Sequence, residues 1–324
     1  MKVLFEADPY RLDIVEVFSD LLYIDQDKNG LAHLSHHLVK YAPRRPETFY
    51  VIGNYYSRRG EHERAAEYLW RAAQLQPWRA LPLILLGHEY LELHNTNAAA
   101  RAYRRAADLD PSDFRSFIAL GQLHKILNQR QLAVYYLLRA ARLQPSDNRL
   151  WMLLAETYED LDDIDSAIRS YWRAVLVGDS AGLAIFKLGY LYEKKGDQNG
   201  ASSAYMKFLE ICDEFQLTQS DKQYYACVYV ARYMLFIRNF TVVKQMLAKA
   251  VELNLYNEEL RNLEQMAANG EQLPSEALLN PIGTFNNKTT DNVRISITNA
   301  TQVDEPKPSE NTVGDQSSVE MEDA

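Results

Sequence analysis

The chain has 324 residues, of which 47% are hydrophobic and 24% are charged, and its net charge is −9. This negative charge argues against a surface that binds nucleic acid through its phosphates. Ten acidic and three basic residues lie from Glu271 onward, so −7 of the net charge falls in that stretch and −2 in the rest. Only two cysteines occur, Cys212 and Cys227, which favours a reducing intracellular compartment over a disulfide-linked scaffold.

The first residues are not typical of a secretory signal, because Lys2, Glu6 and Asp8 place charges throughout them. The longest apolar run, residues 81–86, is far too short to span a bilayer. We therefore expect a soluble protein inside the cell.

Residues 1–45 are predicted to form one degenerate helical repeat, with a polar turn at residues 25–30 between its two helices. The turn resembles the opening of a calcium loop, Asp-x-Asp-x-Asn-Gly, but the Glu that such a loop needs six residues after Gly30 is replaced by His36. An ordinary turn is the better interpretation. The repeat has apolar positions at Val15, Phe18, Leu22, Leu31 and Leu38.

Residues 46–212 repeat themselves five times with a period of 34. Each unit has a small anchor residue, an apolar residue just before it, and an alanine twelve residues after it. The anchors are Gly53, Gly87, Gly121, Ala155 and Gly189. This is the tetratricopeptide repeat, in which each unit is a pair of antiparallel helices. The anchors are small because the two helices of a unit cross there, and the apolar residues fill the space between units.

The pattern resumes after a polar insertion at residues 213–221, with Ala231 in the anchor position, 42 residues after Gly189. Residues 213–268 are therefore predicted to hold a degenerate sixth repeat and a capping helix from Asn257 to Ala268. From residue 269 to 324 the helical pattern stops and polar and acidic residues dominate, which predicts a disordered acidic tail. The predicted fold is all-α: a right-handed solenoid of tetratricopeptide repeats with a disordered C-terminal tail.

No motif for catalysis, phosphate binding or metal binding occurs in the sequence. His33, His36 and His37 lie close together but lack an accompanying Cys or carboxylate cluster, so a solvated helix face is the better interpretation. Asn287 and Asn299 begin glycosylation sequons that we attribute to chance in an intracellular tail. We therefore expect no catalytic residues, no cofactor and no metal.

The polar side chains that face a ligand in such a solenoid lie on the first helix of each pair, at positions fixed by the repeat. Amides and acids beside apolar residues suit an extended peptide with an Arg and an aliphatic neighbour. The predicted peptide-binding groove consists of Asn54, His88, Glu92, Gln122, Tyr50, Ile84, Ile118 and Glu156.

Several longer motifs resemble one family more closely than any repeat consensus does. They are Asp-Pro-Tyr-Arg-Leu-Asp at 8–13, Phe-Ser-Asp-Leu-Leu-Tyr at 18–23, Val-Ile-Gly-Asn-Tyr-Tyr-Ser at 51–57, Gly-His-Glu-Tyr at 87–90 and Tyr-Trp-Arg-Ala at 171–174. Over about residues 8–255 the chain resembles the cell division cycle protein 23 family, subunit 8 of the anaphase-promoting complex.

That resemblance implies a non-catalytic scaffold in a ubiquitin ligase of the cell cycle, found in the nucleus and cytoplasm. Its implied partners are other subunits of the complex and the C-box of coactivators, a short motif with an Arg and Ile-Pro. Asn54 and the segment at 87–89 match the region that receives this motif. The family's homodimer forms through repeats that precede the motif at residue 8, so we expect that contact to be absent from this chain.

Two other interpretations were open on the residues alone. A generic tetratricopeptide adaptor or co-chaperone that clamps C-terminal carboxylates needs basic residues in the groove, and Glu92, Glu156 and Glu193 disfavour it. An enzyme with an appended repeat array needs a catalytic domain, for which too few residues follow the solenoid.

Overall fold

The computed structural model describes residues 11–217, 220–253 and 258–274, and these residues form fifteen α-helices and no strand. The helices are α1 (Val15–Ile24), α2 (Lys28–Tyr41), α3 (Pro46–Arg59), α4 (His62–Leu75), α5 (Leu81–Glu92), α6 (Thr96–Leu109), α7 (Phe114–Ile126), α8 (Arg130–Leu143), α9 (Asn148–Asp160), α10 (Ile164–Gly178), α11 (Leu183–Lys195), α12 (Gln198–Phe215), α13 (Ser220–Phe236), α14 (Phe240–Glu252) and α15 (Glu258–Asn269). They form consecutive hairpins, α1–α2 to α13–α14, and each hairpin packs on the next. The predicted all-α repeat fold is confirmed.

The turn inside each hairpin repeats with the same period as the sequence. In each turn one residue adopts the left-handed conformation, which ends the first helix and reverses the chain. These residues, with their φ angles, are Gln26 (60°), Gly60 (80°), His94 (58°), Asn128 (57°), Asp162 (58°) and Gly196 (83°). The next one is Arg238 (66°), 42 residues after Gly196. The eight extra residues inferred from the anchors therefore lie between these two turns.

Small residues occupy the crossing of the two helices in each hairpin, as the sequence predicts. A Cβ added to Gly87 would lie 2.3 Å from Cε1 of Tyr103, and one added to Gly121 would lie 2.6 Å from Cγ of Leu137. The alanines that follow each anchor by twelve residues are all completely buried: Ala65, Ala99, Ala133, Ala167 and Ala201. The small residues recur every 34 positions because there is little space where the two helices of a hairpin cross.

The first hairpin has the apolar positions predicted for it, since Val15, Leu31 and Leu38 are buried. In the turn that resembled a calcium loop, the Asp27 carboxylate accepts a hydrogen bond from the N–H of Gly30 at 2.9 Å and caps the start of α2.

His33 and His36 are exposed on α2, and the described residues contain no group of three or more potential metal ligands. No described helix has the length and hydropathy needed to cross a membrane.

The predicted insertion at residues 213–221 is largely helical. Its first residues extend α12 to Phe215, and the next residue, Gln216, adopts the left-handed conformation (φ 50°). Helix α13 begins at Ser220. The extra turn of α12 forms because Cys212 is buried and Leu217 packs against the core, so the segment still has an apolar side.

The packed region extends slightly beyond the predicted tail boundary at residue 269. The capping helix α15 is followed by Leu273, which is buried, and by a hydrogen bond from Nε2 of Gln272 to the carbonyl of Phe236 at 2.8 Å. The first residues of the predicted tail therefore pack against the last hairpin. The rest of that tail, with the sequons at Asn287 and Asn299, lies outside the described residues.

Candidate peptide-binding groove

A groove with a cavity volume of about 470 Å³ runs across the first helices of four consecutive hairpins, α1, α3, α5 and α7. The 34-residue period places the same face of each of these helices towards the cavity. The groove is lined by Asp20, Tyr23, Ile24, Tyr50, Asn54, Ser57, Leu81, Ile84, Leu85, His88, Glu89, Arg115, Ile118, Ala119 and Gln122. The structure thus brings together six of the eight predicted groove residues: Tyr50, Asn54, Ile84, His88, Ile118 and Gln122.

At one end of the groove a half-buried carboxylate, Asp20, accepts hydrogen bonds from two neighbours on α3. The Tyr50 hydroxyl donates to its Oδ1 at 2.7 Å and the Asn54 amide donates to the same atom at 3.1 Å. Burial raises the pKa of Asp20 above its usual value, while these hydrogen bonds and the charge of Arg115 act in the opposite direction. Such a carboxylate favours a cationic ligand that restores the solvation it has lost.

Asn54 is almost fully buried, and its amide nitrogen also donates to Oγ of Ser19 at 3.0 Å. Burial together with the Asp20 charge raises the pKa of the Tyr50 hydroxyl far above its usual value, so this hydroxyl stays protonated as a donor. Asn54 and Tyr50 therefore position Asp20 as well as lining the groove.

In the middle of the groove, His88 lies with Nδ1 2.8 Å from the hydroxyl of Tyr103. Desolvation lowers the pKa of His88, although the residue as a whole remains exposed to solvent. A neutral imidazole accepts a hydrogen bond from the Tyr103 hydroxyl at Nδ1 and carries its own proton at Nε2. His88 can therefore offer a donor to a peptide carbonyl.

A second carboxylate, Glu89, lies beside His88 and is buried. Its Oε2 is 2.8 Å from Nδ1 of His62 in the preceding helix, α4. Burial raises the pKa of Glu89, and the hydrogen bonds from His62 and Ser57 act to lower it. Glu89 thus has protein partners already and adds negative potential to the groove.

The far end of the groove combines an apolar floor with exposed polar side chains. Ile84 is buried and Ile118 half-buried, while Gln122 is exposed to solvent. Arg115 lines the same end, but its guanidinium is engaged by Asp113, with Nε to Oδ1 and Nη2 to Oδ2 both 2.9 Å. The basic residue of the groove is therefore largely neutralised.

The other two predicted residues lie outside the lining of this cavity. Glu92 is exposed at the last position of α5. Glu156 lies one hairpin further along, where its Oε2 accepts from Nζ of Lys125 at 3.1 Å.

The predicted set of eight residues omitted Asp20, and Glu89 entered the prediction only within the segment at 87–89 that the resemblance assigned to this region. Asp20 could have been found, because it lies 34 residues before Asn54 and so shares the position of Asn54, His88 and Gln122 in the repeat. Arg115 also follows the period, because it lies 34 residues after Leu81, another lining residue, whereas Glu89 has no lining residue at the same position of its neighbouring repeats.

Comparison with known proteins agrees with this architecture. A family model for the tetratricopeptide repeat matches residues 82–113, 149–176 and 184–215. The C-terminal part of a repeat-containing protein from Cytophaga hutchinsonii has a similar fold, with a TM-score of 0.62 and 14% identity over 76% of this chain and 98% of that one. The anaphase-promoting complex hetero-tetramer Cut9-Hcn1 gives a TM-score of 0.54 at 22% identity, over 82% of this chain and 50% of that one.

Sequence similarity points to subunits of the anaphase-promoting complex. Anaphase-promoting complex subunit CDC23 from Saccharomyces cerevisiae is 40% identical over 83 residues, and subunit 8 from Dictyostelium discoideum is 38% identical over 85 residues. Subunit 8 from Arabidopsis thaliana is 35% identical over 92 residues. These matches cover 26 to 27% of this chain and 13 to 16% of the relatives' own length. The described part of the chain has the fold of tetratricopeptide repeats, and over the matched segment its resemblance to subunit 8 of the anaphase-promoting complex is confirmed.

Proposed function

We propose that this chain is a non-catalytic scaffold subunit of an anaphase-promoting complex, present in the nucleus and cytoplasm. Support for this proposal comes from the named relatives and from a fold that repeats one helical hairpin without a catalytic motif in its sequence. The partners we assign to it are other subunits of that complex. Purification of the tagged chain from cells, followed by mass spectrometry, should recover the cullin and RING subunits in fixed stoichiometry, and their absence would refute the assignment.

We further propose that the groove formed by α1, α3, α5 and α7 binds an Arg-containing, C-box-like segment of a coactivator. The observation that carries this proposal is the half-buried Asp20 carboxylate, held by Tyr50 and Asn54 at the end of an apolar floor. A guanidinium is the side chain best matched to a carboxylate in such a place, because it forms charge-assisted hydrogen bonds in a fixed geometry. Ile84 and Ile118 then contact the aliphatic neighbour, and His88 and Gln122 the peptide backbone.

Titration of the full chain with a labelled peptide that contains Arg and Ile-Pro tests this groove. Asp20→Asn should weaken binding at least about tenfold, since a hydrogen bond to a charged group contributes roughly 1.5–3 kcal/mol. Glu92→Ala, outside the cavity, should have a smaller effect. Asp25→Asn is the matched control, because it makes the same charge change at an exposed position in the turn after α1.

Two outcomes would contradict the groove proposal. One is equal affinity of Asp20→Asn and Asp25→Asn. The other is undiminished binding of a peptide in which Gln replaces Arg. A co-chaperone function, which needs a carboxylate ligand, is disfavoured by Asp20 and Glu89 in the groove, and a peptide ending in acidic residues serves as its test in the same titration.

A further inference from the structure

A second cleft, separate from the groove, lies between α6 and the turn that joins α7 to α8. It has a volume of about 590 Å³, and the polar side chains that line it are Thr96, Asn97, Arg101, Arg104, His124 and Gln129. No acidic residue lines this cleft in the described part of the chain. Its polar lining therefore consists of two arginines and of neutral side chains that can donate hydrogen bonds.

The two arginines of the cleft lack protein partners. Arg101 and Arg104 are exposed, one helical turn apart on α6, and neither forms a hydrogen bond or an ion pair with another described side chain. Elsewhere in the same array Arg71 pairs with Glu67 at 2.6 Å. Two adjacent guanidinium groups without a carboxylate repel each other, and an anion between them would remove that repulsion.

His124 provides an independent indication of a ligand. Its ring is 3% exposed, lies in the cleft wall, and stacks on Tyr136 with centroids 5.2 Å apart and an interplanar angle of 9°. Nδ1 is 2.7 Å from Oε1 of Gln129, an acceptor, so Nδ1 is the donor in this bond. Nε2 is buried and has no hydrogen-bond partner in the described structure. Buried polar atoms are rarely left unpaired, so this nitrogen favours a polar group as a neighbour in the cleft.

The start of α6 adds to the positive potential. Thr96 and Asn97 are the first two residues of this 14-residue helix, and its N-terminal end carries a partial positive charge. Hydroxyl and amide groups at this end lie in the same cleft as the arginines. This combination of fixed charge and short polar side chains is common at sites for phosphate groups.

We propose that this cleft binds a phosphate group, either as a free ion or on a phosphorylated side chain of a partner polypeptide. Phosphate suits it better than carboxylate, because phosphate carries close to two negative charges and three strong acceptor oxygens. Arg101 and Arg104 bind the oxygens through charge-assisted hydrogen bonds. His124 supplies a further contact when its side chain adjusts to expose Nε2, which is an acceptor while Nδ1 carries the proton and so pairs with a P–OH group. The site is independent of the peptide groove, which lies on the first helices of the hairpins.

Titration of the full chain with inorganic phosphate, with a phosphoserine peptide and with the same peptide unmodified tests the proposal. Arg101→Gln combined with Arg104→Gln should weaken binding of both phosphate probes at least about tenfold, as expected for loss of charged hydrogen bonds. Arg105→Gln combined with Arg142→Gln is the matched control: it makes the same charge change at exposed positions outside the cleft. It should leave the affinity unchanged.

The two phosphate probes distinguish the sources. Tighter binding of the phosphopeptide than of inorganic phosphate assigns the cleft to a phosphorylated partner, and equal binding assigns it to the free ion. The proposal is overturned if neither probe binds the natural chain, if the unmodified peptide binds as well as the phosphopeptide, or if both double variants bind alike. His124→Asn should also weaken binding, and thermal unfolding of each variant separates loss of binding from loss of fold.

Discussion

Among single residues, Glu193 has the least usual environment outside the groove. Its carboxylate lies between the sixth and seventh hairpins, where the hydroxyl of Tyr205 donates to it at 3.2 Å and the hydroxyl of Tyr225 at 3.0 Å. Burial raises the pKa of Glu193 above its ordinary value of 4.5, and the two tyrosine hydrogen bonds oppose the shift without cancelling it. The charged form of this residue is therefore less favourable in the folded chain than in the unfolded one.

The first prediction follows from that difference. A carboxyl group with a raised pKa binds its proton more tightly when folded, so its contribution to stability is complete below pH 4.5 and is lost as the pH rises through the folded pKa. Glu193→Gln removes the titrating group but keeps an acceptor for a tyrosine. Urea unfolding between pH 4.5 and 7 should show the variant becoming more stable relative to the natural chain as the pH rises.

The control for this prediction is Glu210→Gln, an exposed residue on α12 that makes the same charge change. Its stability difference from the natural chain should be nearly constant with pH. A constant difference for Glu193→Gln as well would mean that burial at this site does not affect the carboxyl group.

Between elements, one ion pair links the first helix to a distant hairpin. Nη1 and Nη2 of Arg79 donate to the two oxygens of the Glu16 carboxylate, each at 2.6 Å, across 63 residues of sequence. Glu16 is buried on α1, and Arg79 lies in the loop before α5. Hydrogen bonding to Glu16 raises the pKa of Arg79, so this arginine stays charged. The pair ties the degenerate repeat to the regular array.

The second prediction concerns that pair. Arg79→Ala leaves the Glu16 carboxylate buried without its partner, which costs roughly 3–5 kcal/mol for a fully buried pair. Because the Arg79 side chain is 35% exposed, we expect a smaller loss of about 1–3 kcal/mol. Hydrogen exchange should show the loss concentrated in α1 and α2. The pair between Arg59 and Glu61 is the control, because Arg59 is exposed, and Arg59→Ala should destabilise the chain much less than Arg79→Ala.

The features of the fold and of the groove that could be predicted from the sequence are those that the repeat period determines. The period predicts the hairpins, the small residues at the crossings, and a shared face for Asn54, His88 and Gln122. It cannot predict the contact between Arg79 and Glu16, because a loop side chain 63 residues away obeys no period. Glu92 failed to reach the cavity since α5 ends at that residue, which the sequence does not indicate.

Within the described array the groove and the stability of the repeats are coupled. Each groove helix comes from a different hairpin, so the proposed peptide would contact four hairpins that otherwise interact mainly with their neighbours. Stability in such an array is a sum of terms within hairpins and between adjacent ones. A ligand that spans four hairpins therefore stabilises all four at once and leaves the distant ones unaffected.

The last prediction uses one overpacked side chain to test whether stability is a sum over neighbouring hairpins. Gly87→Ala places a Cβ 2.3 Å from the Tyr103 ring, which is fully buried and cannot move without disturbing its hairpin. Overpacking of this kind costs roughly 1–3 kcal/mol, equivalent to about a five- to 150-fold increase in amide exchange from the opened state. We expect this increase in α5 and α6 first and then in the adjoining hairpins, α3–α4 and α7–α8. Amides of α11 to α14 should exchange as in the natural chain, and a uniform increase across all hairpins would show that the array unfolds as a single cooperative unit.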